Sequence, residues 1–193
     1  MSQENKRIEV SEAAWRVIVR EGLDRTSIRA IAKELDCTTG VVTHYFRNKQ
    51  ELILFALNQV TENLKQAMEK ISDKPVSIEK LIEMLCTFLP LDKKRQEILK
   101  VWIAFLGYAV GRDSLMLEHR KSAAQLREVF IQELSALHSA KIIRQDINVE
   151  IEANTLLALV NGIALDSLIQ EKCLNSKQQK MVIRRYLNGI TII

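Results

Sequence analysis

Apolar residues recur along this chain at helical spacing, and the recurrences divide it into segments. Val10, Ala14, Val17 and Ile18 share one face of a helix from about Asn5 to Glu21, and Gly22 follows as its stop. Thr26 and Ser27 are N-cap residue types, and Ile28, Ile31, Ala32 and Leu35 then repeat at i, i+3, i+4, i+7. A second capping pair, Thr38-Thr39, opens another short helix with Val42 and Phe46 turned inward. Asn48 caps a long segment, periodic from Leu52 to Ile71, that spans ~37 Å at 1.5 Å per residue. Ser72-Asp73-Lys74-Pro75 is the clearest break. Further helices are expected at about 76–88, 92–110, 113–139, 148–172 and 175–190.

Composition narrows the class. The 193 residues include only six Gly and two Pro, too few for the turns of an all-β protein. With 47% hydrophobic and 27% charged residues, the chain is composed for a packed core rather than for disorder. The fold expected is all-α, with about nine helices. The apolar runs Val101–Val110 and Leu156–Val160 fall short of the ~20 residues that cross a bilayer, so no membrane partner is expected. No signal segment opens the chain, and Cys37, Cys86 and Cys173 are three, scattered and without a C-x-x-C pair. A cytoplasmic protein with reduced, packed thiols follows.

The candidate chemistry sits near the N-terminus. Two short helices joined by a tight turn, after one longer helix, make a helix-turn-helix unit. A short helix with a projecting N-terminal end fits the DNA major groove, which is about 12 Å wide. Opposite Val42 and Phe46, the outward positions are Thr39, Gly40, Thr43 and His44, all small or polar. Tyr45 and Lys49 lie at the margin, where phosphates would pass. A net charge of +4 permits a polyanionic partner without requiring one. The segment 25–49 is sharper, with Arg25, Arg29, Lys33, Arg47 and Lys49 against Glu34 and Asp36. Lys6 and Arg7 read as a solvated terminus.

Thr26–Lys49, TSIRAIAKELDCTTGVVTHYFRNK, followed by the helix start ELILFAL, resembles the TetR family of bacterial transcription regulators. Ile31-Ala32, Gly40, Tyr45-Phe46 and Lys49 carry the resemblance. It implies that Thr39, Gly40, Thr43 and His44 face the groove, while Ser27, Arg29, Thr38, Tyr45 and Lys49 hold phosphates. Thr38 has an alternative as a plain N-cap. Asp36 stands where the family usually has Gly in a left-handed turn, a region Asp tolerates better than most residues. Val101–Phe105, the 113–139 helix and Ala158–Gly162 are similar to the body of the choline/betaine-pathway repressor subgroup.

The expected protein is a DNA-binding regulator, a ligand-responsive repressor that binds a palindromic operator as a homodimer. Its head is residues 1–50, joined by a connector helix at 48–72 to an effector-binding and dimerising body at 51–193. An effector would favour a body shape that splays the two heads. The other reading is a helical small-molecule-binding module that does not regulate DNA. Trp102, Phe105 and Tyr108 are either core or the wall of an effector pocket bordered by the 76–88, 92–110 and 113–139 helices. The effector is unknown, and the subgroup resemblance implies a quaternary amine. The 148–172 helix is apolar on more than one face, so Leu156, Leu159, Val160, Ile163 and Leu168 are expected at a dimer interface with the 113–139 helix. Gly107 and Gly111 read as a helix end. His119 and His138 are expected to be exposed, and Asp113, Glu118 and Asp166 show no paired acid–base arrangement. No metal site, cofactor or enzymatic activity is expected, since no hydrolase, P-loop or dinucleotide fingerprint appears.

Overall fold

The computed structural model describes residues 3–170 and 174–192. The side chains of Ser114 and Glu118 lie outside that description, as do Cys173 and the last two residues of the expected 148–172 helix. Among the described residues the fold is all-α, in the order α1 (Gln3–Glu21), α2 (Ile28–Glu34), α3 (Thr39–Tyr45), α4 (Lys49–Ser72), α5 (Ile78–Cys86), α6 (Lys93–Ala109), α7 (Asp113–Ser139), α8 (Val149–Ile169) and α9 (Ser176–Ile190). Their starts follow local capping chemistry. Ser27, Ser77, Asn148 and Asn175 each accept a backbone N–H from the following turn, and Asn175 forms a reciprocal pair with Gln178. Gly22 and Gly111 take φ of 80° and 78° just past α1 and α6, the left-handed stop expected of both.

The chain divides into two compact units. Met1–Lys65 with Glu97–Arg112 is the first, and Gln66–Gln96 with Asp113–Ile193 is the second. In the first, Val10, Ala13, Ala14, Val17, Ile31 and Val42 of α1–α3 pack with Phe46 and Leu52 into one core. Arg7, half-buried, packs against this core, which corrects its reading as a solvated terminus. Its guanidinium lies 4.9 Å from the Phe46 ring centre and 4.8 Å from that of Phe55, with Glu51 Oε1 at 3.5 Å.

In the second unit α8 packs on α7 and α9, and α5 packs on α9. Phe130, Leu134 and Leu137 of α7 meet Leu156, Val160 and Ile163 of α8, with Ile183 and Leu187 of α9 in the same core. The link between α7 and α8 turns on Lys141, at φ 56°, and is tied to the chain end by an antiparallel bridge between Ile143 and Thr191. Neither feature was anticipated. The 21-residue α8 is long and apolar enough, by length and composition only, to cross a membrane, which the short apolar runs alone did not suggest. Here its inner face, Ala153, Leu156, Val160, Ile163 and Ala164, is core. His119 and His138 are half-buried rather than exposed; burial pushes the His119 imidazole below its ordinary value.

One ion pair lies inside the second unit. Lys80 Nζ of α5 donates to Glu133 Oε1 of α7 at 2.8 Å, with the two side chains only 6% and 14% exposed. Removing one partner leaves a buried charge unpaired, whereas removing both does not. Lys80→Met is therefore expected to lower stability by about 3–5 kcal/mol. Lys80→Met with Glu133→Leu should recover most of that loss. Urea unfolding followed by circular dichroism measures both, and equal losses in the single and double variants would contradict the reading.

Candidate nucleic-acid interface

The short helices α2 and α3 are seven residues each and hold their shape through the core beneath them. Between them Asp36 takes φ of 50°, the left-handed turn expected at this position. Val42 and Phe46 are fully buried, so α3 is fixed by one face. Thr38, Thr39, Gly40, Thr43 and His44 are all exposed on the opposite side. A Cβ on Gly40 would meet only Thr38 Oγ1, at 3.6 Å. Gly40 therefore leaves open surface, and its small size has no packing cause within the chain.

Hydroxyl chemistry sorts the threonines. Thr43 Oγ1 donates back to the carbonyls of Thr39 and Gly40 at 3.1 and 3.2 Å. Its proton is thus engaged within the helix, leaving its lone pairs and methyl group for an outside partner. Thr38 occupies the N-cap position of α3 without making a side-chain cap bond. Ser27 does cap, accepting Ala30 N–H at 3.1 Å, and is exposed. Thr26, the other candidate cap, is buried and donates to Gly22 O at 2.8 Å. Tyr45 is half-buried with its ring edge-on to His44, at 4.9 Å between centres. Arg29 is exposed.

The start of α4 is capped by its own side chains. Glu51 N–H donates to Asn48 Oδ1, and Arg47 N–H donates to Glu51 Oε2, each at 2.9 Å. Arg47 itself is exposed beside these groups and had not been singled out, although its charge was visible in the basic segment. Lys49 is placed differently from a plain surface lysine. Its Nζ donates to Leu23 O at 2.5 Å and lies 5.7 Å from the Tyr108 ring centre. Burial pushes its pKa down, Asp24 pulls it partly back, and Arg112 lowers it further. Arg7 was missed as a structural residue, though its position three before Val10 puts it on the buried face of α1.

The other predicted residues separate. On α6, Phe105 is buried at 5% exposure, while Trp102 and Tyr108 are half-buried. Tyr108 is occupied by cations, with the Arg112 guanidinium 4.0 Å from its ring centre. The interface expectation for α8 needs correction at three positions. Leu156, Val160 and Ile163 are 0, 2 and 5% exposed within the single chain, because they fill the core against α7 and α9. Leu159 and Leu168 are half-buried. The outward apolar row is instead Ile151, Ala158, Leu165 and Ile169, with Gly162 on the same stripe. Metal-binding geometry is not found among the described residues.

Comparison with known proteins agrees with this geometry. Residues 11–55 match the family described as bacterial regulatory proteins, tetR family, and residues 77–191 match the BetI-type transcriptional repressor C-terminal family. The HTH-type transcriptional regulator PksA of Bacillus subtilis is 29% identical over 100% of this chain and 93% of its own length. The regulator BetI of Vibrio vulnificus is 24% identical, covering 94% of this chain and 90% of its own. A transcriptional regulator from Rhodococcus sp. Rha1 superposes with a TM-score of 0.82 at 26% identity, over all of both chains. A putative regulator from Saccharomonospora viridis, solved in complex with choline, shares the fold at a TM-score of 0.91 and 17% identity, covering 98% of this chain and all of that one. The chain therefore belongs to the TetR family of DNA-binding transcriptional regulators, with a BetI-type repressor body.

Proposed function

We propose that this chain is a cytoplasmic, effector-released repressor that binds a palindromic operator as a homodimer. The observation that carries the DNA reading is the α3 surface, where Thr38, Thr39, Gly40, Thr43 and His44 are all exposed and all small or polar. In this reading Thr39, Gly40, Thr43 and His44 meet base edges. Ser27, Arg29, Thr38 and Tyr45 meet phosphates, with Arg47 beside them, and Lys49 joins them only when it leaves the Leu23 carbonyl.

For the homodimer, the support is the outward stripe of α8. Ile151, Thr155, Ala158, Gly162, Leu165 and Ile169 step by four and three residues, the spacing of a helix–helix seam. Ile151, Leu165 and Ile169 are 64, 45 and 68% exposed. Gly162 costs about 1 kcal/mol relative to Ala in a helix, yet a Cβ there would meet nothing within 4 Å. A close partner helix would account for that cost. Residues 51–193 would then be the dimerising and sensing body.

For the effector, the relative solved with choline and the BetI-type body support a small quaternary amine. Trp102 and Phe105 of α6 are the aromatic faces we assign to it, by cation–π attraction. Release of most of the bound DNA requires that the ligand prefer the unbound state by roughly 5 kcal/mol.

Operator fragments with half-sites about 34 Å apart should bind in gel-shift assays with a steep salt dependence. Arg29→Ala should weaken specific and random DNA alike, whereas Thr43→Ala should change base preference by about 1–3 kcal/mol at one position. Identical effects of the two changes on both DNAs would refute the groove assignment. In sedimentation, Leu165→Asp should give a helical monomer, while Val160→Asp should unfold the chain, because only the second position lies in its own core. A Leu165→Asp protein that stays dimeric at micromolar concentration would move the interface elsewhere. Choline titrated onto the operator complex should release DNA, and Trp102→Ala should raise the required concentration by roughly 2–30-fold. An unchanged concentration in a folded, operator-binding variant would remove α6 from the effector site.

A further inference from the structure

We infer that Tyr108 is a positioning residue for Lys49: its ring, backed by Arg112, keeps the Lys49 ammonium on the Leu23 carbonyl and ties the DNA-facing end of α4 to α6. The inference rests on the operator-binding reading above, because it concerns when Lys49 is available to a phosphate.

The geometry lies within one compact unit. Gly111, at φ 78°, ends α6 and turns the chain so that Arg112 folds back over the preceding turn. Arg112 N–H donates to Ala109 O at 2.9 Å, and its guanidinium donates to the Tyr108 carbonyl. The same guanidinium lies 4.0 Å from the Tyr108 ring centre. Lys49 Nζ lies 5.7 Å from that ring centre and donates to Leu23 O. Two like charges therefore share one aromatic ring. The negative π cloud offsets their mutual repulsion, and a ring is a large, stiff group that fixes where each cation sits.

A solvated lysine at the start of a helix would meet a DNA phosphate at little cost. Lys49 starts instead from a half-buried site in which both a carbonyl and a ring already engage its charge. To reach a phosphate it must leave both. Whether it leaves depends on the position of the last turn of α6, the helix that also carries Trp102, six residues and roughly 9 Å earlier along the axis. Tyr108 is thereby assigned to holding Lys49 rather than to lining an effector pocket.

The test is the salt dependence of operator binding, a readout that a loss of packing alone does not steepen. Tyr108→Leu removes the π face and leaves Lys49 beside Arg112, so Lys49 should move to phosphate. One added phosphate contact per subunit steepens the slope of log K against log salt by about 1.8 per dimer, or about tenfold more loss of affinity between 50 and 200 mM salt. Tyr108→Phe keeps the ring and should keep the wild-type slope. Lys49→Ala in the Tyr108→Leu background should abolish the increment. A folded Tyr108→Leu protein with the wild-type slope would overturn the inference, and so would an increment that survives Lys49→Ala. Wild-type protein with no preference for symmetric operator DNA would overturn the reading beneath it, an outcome visible before any variant is made.

Discussion

A seven-residue helix is too short to persist alone in water, since its nucleation cost is repaid by only a few hydrogen bonds. Helix α3, the proposed recognition helix, has this length and leaves one entire face bare. Everything that holds it must therefore come from the other face. Val42 and Phe46, both fully buried, supply that anchor. The demand spreads outward from Phe46. Its ring meets Phe55 of α4 edge-on, with centres 5.4 Å apart, and Arg7 of α1 lies over both rings. Glu51 then links Arg7 to the backbone of Arg47, the residue that follows Phe46. The first helix, the recognition helix and the start of the connector are joined at one aromatic pair. A rigid reading head needs such a junction, because a helix that frays cannot discriminate between base pairs by ~1–3 kcal/mol.

A similar division of faces governs α8, with the opposite outcome for sequence reading. In α3 the two faces differ in chemistry, so the pattern of Val42 and Phe46 against Thr39, Thr43 and His44 identifies which side is which. In α8 both faces are apolar. Leu156, Val160 and Ile163 look no different in sequence from Ile151, Leu165 and Ile169, yet the first set fills the core and the second is exposed. Hydrophobicity marked both faces without saying which of them fills the core of the chain. The small residues carried the missing signal. Ala158 and Gly162 lie on the exposed stripe, where no packing need within the chain explains them.

Helix boundaries were legible because capping is local chemistry. Ser27, Asn48, Ser77, Asn148 and Asn175 all act as caps, and Gly22 and Gly111 act as stops. Asp36 shows that a departure from the usual Gly need not change the turn, since φ of 50° is reached with an Asp side chain. Long-range electrostatics was not legible. No spacing rule joins Lys80 to Glu133, Arg7 to Phe46 or Lys49 to Tyr108, which are separated by dozens of residues. The bridge between Ile143 and Thr191 belongs to the same class. Such pairings become visible only when the topology brings the elements together.

Charged residues in this chain consequently fall into two kinds that composition cannot separate. Glu34 accepts from Arg16 and Arg20 at the surface, an arrangement that holds its carboxyl below the ordinary range and is screened by solvent. Lys49 and Arg7 are instead held by aromatic rings and partly removed from water. For a DNA-binding head the difference matters. A surface cation adds to affinity for any polyanion at all times, whereas a cation already satisfied within the protein adds only the difference between two partners. That difference is smaller than the whole contact, and small differences are what a regulator can reverse, since 1.4 kcal/mol is about tenfold in affinity. A lysine poised between a backbone carbonyl and a phosphate is thus better suited to conditional binding than a stronger, permanently exposed contact would be.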